Sequence, residues 1–421
     1  MISKIKNIAN TEDKKRLLSN FFSLSVLQAF TYILPLLTLP YLVRVLGVDK
    51  FGLVMFAQAF IVFFNILVDY GFNLSATREI AINRENKDKI TEIFSSVMTI
   101  KTILIVISFV ILSIVIFSFE KFTSDWELYY LSFLVVIGNA MFPIWYFQGM
   151  EKMKYITIVD ITSKLIFTIL IFIVIQEQSD YIYVPLLSGL GFIVGGIISL
   201  WIVYRNFNQS FIFQDFKILK THFLDSSQFF LSRVSVSIYT SANAFVLGLF
   251  TNTTMVGYYS IAEKLYMALQ SLYRPIVQTI YPYIAKERNI KLFKKLFIFI
   301  FISNILGIIL LYLVGQNIFD LLFTQTIGNE SLEVFNIFLI AMFIVVPSIL
   351  LGYPFLGALG FSKYANMSVI YGSIFHLVGL GILISIDKIT IYNVAVMVIT
   401  TELLVLSTRI YWIRRNSLWK K

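Results

Sequence analysis

Cysteine is absent from this 421-residue chain, which removes disulfide frameworks, thiolate metal sites and a cysteine nucleophile together. Histidine is nearly absent: His222 and His376 are the only two, too few for a histidine-rich metal centre. Charged residues make up 14% of the sequence, well below the share carried by a water-soluble domain. Catalytic signatures are missing as well. There is no Walker loop, no Gly-rich dinucleotide turn, no Gly-x-Ser-x-Gly elbow, and no acidic cluster in an outer loop suited to a metal-dependent glycosyltransferase. These gaps argue against an enzyme, a metal or a cofactor, and they leave hydrolysis within the chain no part in driving work.

What fills the sequence instead is apolar. Hydrophobic residues reach 58%, with 41 phenylalanines. About twenty apolar residues, rising about 1.5 Å each, cross a hydrocarbon core of about 30 Å. Runs of that length fall near 20–43, 52–72, 94–117, 128–149, 155–175 and 182–204, then 227–250, 254–284, 292–314, 333–357, 366–386 and 391–412. They are continuous and do not alternate with period two, so helices are expected and a barrel is not. The expected fold is an all-α integral membrane protein with about 12 transmembrane helices. The polar amino-terminal stretch is expected to stay attached and not to be cleaved as a signal peptide.

Loop charge orients the spans. Lys4, Lys6, Lys14, Lys15 and Arg16 precede the first one. The even-numbered loops carry Arg78, Arg84, Lys87 and Lys89, then Lys152 and Lys154, then Arg205, Lys217 and Lys220. Lys286, Arg288, Lys291, Lys294 and Lys295 follow, then Lys363, and the tail ends in Arg414, Arg415, Lys420 and Lys421. The odd-numbered loops hold only Arg44, Lys50, Lys121 and Lys388. That asymmetry puts both termini in the cytoplasm. It also accounts for the net charge of +10 without a nucleic-acid partner.

A faint internal repeat divides the chain. Val45-Leu46-Gly47 leads to Gly52 and Ala57, as Val246-Leu247-Gly248 leads to Gly257 and Ala262, and Gly149 precedes Lys152 as Gly360 precedes Lys363. Two halves of the same orientation imply two six-helix lobes related by a pseudo-twofold along the membrane normal. The lobes are expected at 1–204 and 227–421, joined by a cytoplasmic connection at 205–226.

Charges inside the spans are the chemical signal. Lys164 and Lys264 sit near mid-span, about 15 Å from an end by helical rise. A charge at that depth costs roughly 2.5–3.5 kcal/mol on insertion scales, so it is seldom kept without a use. Asp160, Lys101, Arg233, Glu263, Arg274, His376 and Glu402 join them. Each has a plain reading too. Asp160 and Lys164, one helical turn apart, can neutralise each other. Glu263 and Lys264 are adjacent and point about 100° apart, so at least one needs another partner. Lys101, Arg233 and Arg274 are close enough to the cytoplasmic end to snorkel. His376 is more often a packing residue than a proton relay. Gln228, Ser232, Ser235, Tyr239 and Asn243 make a polar stripe, and Ser25, Gln28 and Tyr32 a second, suited either to joining helices or to facing a glycan. Taken together, the basic excess points to an anionic cargo.

Three stretches carry a resemblance: LPYLVRVLGVDKFGLVMFAQAF (39–60), VDYGFNLSATREIAINR (68–84) and WYFQGMEKMKYI (145–156). As a set they resemble the Wzx-type O-antigen flippases, the polysaccharide transporters of the multidrug/oligosaccharidyl-lipid/polysaccharide exporter superfamily. NAFVLGLFTNTTMVGYYSIAEKL (243–265) and RPIVQTIYPYIAK (274–286) extend the likeness. The resemblance implies a V-shaped bundle with a central, cationic cavity in a bacterial inner membrane. It implies transfer of undecaprenyl-pyrophosphate-linked oligosaccharide from the cytoplasmic to the periplasmic leaflet by alternating access with ion coupling. Membrane lipid, a polysaccharide polymerase and a chain-length regulator are the implied partners. Asp69, Asn73 and Arg78 carry over to the cytoplasmic mouth, and Arg44 to the outer end of the first span. On this reading Arg78, Lys101, Arg233 and Arg274 attract the pyrophosphate, while Lys164 and Lys264 hold it at mid-depth. Asp69, Asp160, Glu263 and Glu402 balance charge or couple ions, and Gln28, Ser235, Tyr239 and Asn243 face the glycan. The rivals are a cation-coupled multidrug exporter of the same superfamily and a membrane polysaccharide polymerase.

Overall fold

The computed structural model describes residues 12–419; the side chains of 12–22, 24, 25, 29, 231–233 and 235–240 lie outside what it describes. Among the described residues every regular element is helical, with no strand, as unbroken apolar runs in lipid require. In chain order these are α1 (Glu12–Asp69), α2 (Phe72–Ile82), α3 (Lys87–Ser118), α4 (Glu120–Thr123), α5 (Trp126–Met141), α6 (Ile144–Gly149), α7 (Met153–Val174) and α8 (Tyr183–Asn206). There follow α9 (Phe216–Phe250), α10 (Thr253–Ser271), α11 (Arg274–Glu287), α12 (Ile290–Leu322), α13 (Gln325–Leu351), α14 (Ser362–Ser385) and α15 (Ile391–Arg415).

Local sequence sets several of these boundaries. The free N–H groups of a helix start need acceptors, and short polar side chains supply them. Asn86 accepts from Lys89 N at 3.1 Å to open α3, and Asn252 from Met255 N at 3.0 Å to open α10. Asn289 opens α12 by accepting from Leu292 N at 2.9 Å, and Thr390 opens α15 through Asn393 N at 3.1 Å. The expected spans 20–43 and 52–72 are not separated by a loop. They are one helical run folded over at Gly47, where φ 71 and ψ 163 are open only to a residue without Cβ.

Among the described residues nine helices are long and apolar enough to cross a bilayer. Val26–Ile82 covers two of the expected spans; in α9 the described stretch Ser241–Phe250 is apolar but shorter, and α10 and α11 are helical without being among the nine. The protein is thus an all-α, multi-pass membrane protein.

Contacts gather the chain into two compact units. The first comprises residues up to Thr38 with Ala57–Val234, and the second Leu39–Phe56 with Ser235 onward. In the first, α5 packs along α8, and α8 along α7. Its core is aromatic: Phe60, Phe64, Phe122, Tyr129 and Phe133 cluster, and Phe94 meets Trp145 and Tyr146. The WYFQG run is therefore buried core. In the second unit α15 packs against α13 and against α14, and Phe338 of α13 meets Tyr259 and Tyr266 of α10. Here the two arms of the internal repeat meet at their glycines. A Cβ on Gly52 would stand 1.8 Å from Thr253 O, and one on Gly257 2.4 Å from Val48 O, so the backbones touch. Asp49 accepts from Thr253 and, at 3.3 Å, from Thr254 beside that contact.

Candidate functional site

The DYGF stretch forms a tight turn between α1 and α2, with Tyr70 at φ 45 and Gly71 at φ 79. Tyr70 is stacked between Phe223 and Phe230, at 4.2 and 4.6 Å. Ser75 and Ser226 share a hydrogen bond of 2.7 Å. The turn therefore anchors the start of α9. Asp69 Oδ1 lies 3.5 Å from Lys101 Nζ, whose side chain is only 4% exposed. Lys101 does not snorkel; it is buried against a carboxylate. Arg78 and Arg44 are exposed.

A second ionic contact holds the same region. His222, buried at the start of α9, sits 3.1 Å from Glu79 and 3.3 Å from Glu92, and Lys89 meets Glu92 at 2.6 Å. Burial disfavours the charged imidazole, but the two carboxylates outweigh it and raise the His222 pKa above its ordinary value. No feature of the sequence marks this histidine, because its partners lie far away along the chain.

Lys164 has partners on two helices of the first unit. Its Nζ is 2.7 Å from Asp160 and donates to Thr31 at 3.0 Å. The pair borders a cavity of about 20 Å³ walled by Phe142, Val159, Phe167 and Phe192. Ser163 Oγ, also on its wall, and Gln28 Oε1 are buried with no hydrogen-bond partner among the described residues.

The second unit holds a polar pocket of about 110 Å³, lined by Asn243, Glu263, Gln270, His376, Thr401 and Glu402 with Tyr266, Met267, Phe338 and Val398. His376 joins three helices: its Nε2 is 2.8 Å from Asn243 Oδ1 and its Nδ1 2.8 Å from Thr401 Oγ1. Thr401 Oγ1 in turn donates to Met397 O at 2.7 Å, so the contact ties the ring to the backbone of α15. The imidazole is thus in hydrogen-bond contact at both ring nitrogens and placed beside two carboxylates. Glu263 faces this pocket while its neighbour Lys264 is not on the lining. Among the described residues no ion pair within 4 Å joins them, as the 100° step between adjacent helical positions requires.

One buried charge lies outside the sequence reading. Arg409, one face of α15 along from Glu402, donates from Nε to Ser368 Oγ at 2.9 Å and from Nη1 to Ser348 Oγ at 3.0 Å. In sequence it falls near the end of an apolar run and resembles an interface anchor; the two serines that hold it sit 41 and 61 positions earlier. Arg274 is exposed. The side chains of Arg233, Ser235 and Tyr239 lie outside the described residues, so of that polar stripe only Gln228, exposed, and Asn243, buried in the pocket, can be placed.

Helices of membrane length thus enclose paired and hydrogen-bonded charges, in a fold similar to that of solved membrane transporters. The lipid II flippase MurJ, in an inward closed conformation, matches with a TM-score of 0.77 at 13% identity, over 93% of this chain and 87% of that one. A multidrug resistance MATE family transporter in an inward-facing conformation matches with 0.70 at 14%, over 92% and 96%. At these identities the likeness is one of fold.

Residues 17–288 match the family described as polysaccharide biosynthesis protein, and the chain belongs to it. The resemblance drawn from the three motifs is borne out at that level. A provisionally named O-antigen transporter of Escherichia coli (strain K12) is 36% identical over 273 residues, 65% of this chain and 66% of that protein. Its provisionally named counterpart from Shigella dysenteriae is 29% identical over 289 residues, 69% of this chain and 72% of that protein. The match thus spans about two thirds of these relatives' length.

Proposed function

We propose that this protein is a flippase of about 12 spans, carrying an undecaprenyl-pyrophosphate-linked oligosaccharide from the cytoplasmic to the periplasmic leaflet of a bacterial inner membrane. It works by alternating access between two six-helix lobes, with both termini cytoplasmic and an ion gradient as the driving force. The observation that carries this reading is the set of buried charges retained inside membrane-length helices of a polysaccharide biosynthesis protein. The names of its O-antigen relatives and of its MurJ fold neighbour point the same way.

A pyrophosphate brings at least two negative charges, and ammonium or guanidinium groups offset its desolvation. Exposed Arg78 and Arg274, with Arg233, attract it, and Lys264 and Lys164 hold it deeper. Lys101 serves through Asp69, fixing the DYGF turn. Glu263 and Glu402 are the coupling carboxylates: they share one pocket, and among the described residues no lysine or arginine lines it. Gln28, Ser235, Tyr239 and Asn243 offer amide and hydroxyl groups to the sugars. The polymerase and chain-length regulator of the same polysaccharide are the expected partners.

Inverted membrane vesicles supplied with the lipid-linked repeat unit provide the test. Transfer to the sealed leaflet should depend on this chain, and Lys264→Ala should slow it about tenfold, the loss of one charge-assisted contact. Glu402→Gln should abolish the response to an imposed proton or sodium gradient. Chain-dependent export of cationic dyes with no movement of the repeat unit would instead establish the multidrug-exporter reading, which the two pocket carboxylates favour.

A further inference from the structure

The second unit carries a groove of about 590 Å³ lined by Phe297, Leu351, Ile410, Ile413, Arg414, Ser417 and Trp419. Its volume is in the range of ligand pockets, and its floor is apolar. The chain beyond α15 is built to form one wall. Ser417 takes φ 50, Leu418 N returns to Ile413 O at 3.0 Å, and Trp419 is laid against Phe355 and Phe297 at 5.3 and 5.7 Å.

The mouth is positive. Arg414 lines it, and Lys294 lies 5.6 Å over the Trp419 ring. Neither 288–319 nor 403–421 contains an aspartate or glutamate. These cations stand in the second turn of α12 and the last turn of α15, near the ends of membrane-length helices, where basic side chains meet headgroups. α12 and α15, which supply Phe297, Ile410 and Ile413 to the groove, are both helices of membrane length, so its apolar floor runs along bilayer-spanning elements.

We propose that the groove is a binding site for an acidic phospholipid of the bilayer, its phosphate held by Arg414 and Lys294 and an acyl chain lying over Phe297, Ile410 and Ile413. A groove open to the bilayer is filled by bilayer lipid. Two cations at its mouth enrich the anionic species over the zwitterionic one by roughly thirtyfold. The proposal does not depend on the identity of the cargo, and its test needs no transport.

The full chain is reconstituted in mixed phosphatidylglycerol and phosphatidylcholine vesicles, with bromine on the acyl chains of one lipid or the other. The fluorescence lost in Trp419→Phe isolates the Trp419 signal. Brominated phosphatidylglycerol should quench that signal more than brominated phosphatidylcholine at equal mole fraction, and Arg414→Gln with Lys294→Gln should equalise the two. Ile410→Phe, which fills the floor and leaves every charge in place, should lower the quenching by both lipids. Equal quenching in the parent protein, a preference that survives removal of both cations, or quenching unmoved by Ile410→Phe would overturn the assignment. So would displacement of phosphatidylglycerol by an equimolar polyprenyl pyrophosphate, which would make the groove a seat for the cargo's tail.

Discussion

Neutralising Asp69 should damage the first unit more than neutralising its partner Lys101. At their 3.5 Å separation the attraction is about 5 kcal/mol with an effective dielectric near 20, before desolvation is set against it. The two ends differ in what they leave behind. Asp69→Asn strands an ammonium whose side chain is 4% exposed, while Lys101→Met leaves a carboxylate that is 20% exposed and within reach of water. The first change should therefore cost about 3–5 kcal/mol, the penalty for an uncompensated buried charge, and the second about 1–2 kcal/mol. The double variant buries no charge, so its cost should fall about 2–3 kcal/mol short of the sum. Unfolding of the full chain in mixed detergent micelles, run as a double-mutant cycle, measures all three. Additive costs, or a Lys101→Met variant less stable than Asp69→Asn, would refute the reasoning.

Two further outcomes are expected. Because folding raises the His222 pKa above its unfolded value, its contacts with Glu79 and Glu92 stabilise fully below the ordinary imidazole range and fade as pH rises through the elevated folded value. Amide exchange across the first turns of α9 should quicken over that rise, and His222→Gln should flatten the profile; an unchanged slope in the variant removes His222 from it. Gly52→Ala puts a Cβ 1.8 Å from Thr253 O, a backbone atom that cannot turn aside, and should cost about 3 kcal/mol, whereas Gly307→Ala meets nothing within 4 Å and should be neutral or better. Equal melting temperatures for these two variants would show that the repeat's arms do not rely on that contact.

The glycine result illustrates how far the linear pattern reached. Gly52 and Gly257 were visible as matching positions of a repeat, but a repeat says nothing about where its two copies lie. Only the packing shows that they are the point where α10 and the 39–56 arm touch. The WYFQG run was legible as a family mark, and the structure makes it core, since Trp145, Tyr146 and Phe147 are all fully buried.

The sequence alone determined the solvent, because apolar runs of bilayer length with few charges leave no soluble alternative and lipid leaves the backbone only helices. It also determined the family, through motifs whose combination is specific, and the Asp160–Lys164 pair, since one helical turn brings those side chains together whatever surrounds them. The tertiary structure decided the rest. Whether Lys101 reached water or met Asp69, whether Glu263 or Lys264 faced the pocket, and whether Arg409 was an anchor or a buried tie to Ser348 and Ser368 depended on partners many residues away. A buried charge announces its cost in one dimension, but what offsets that cost is fixed only by the helices folded against it.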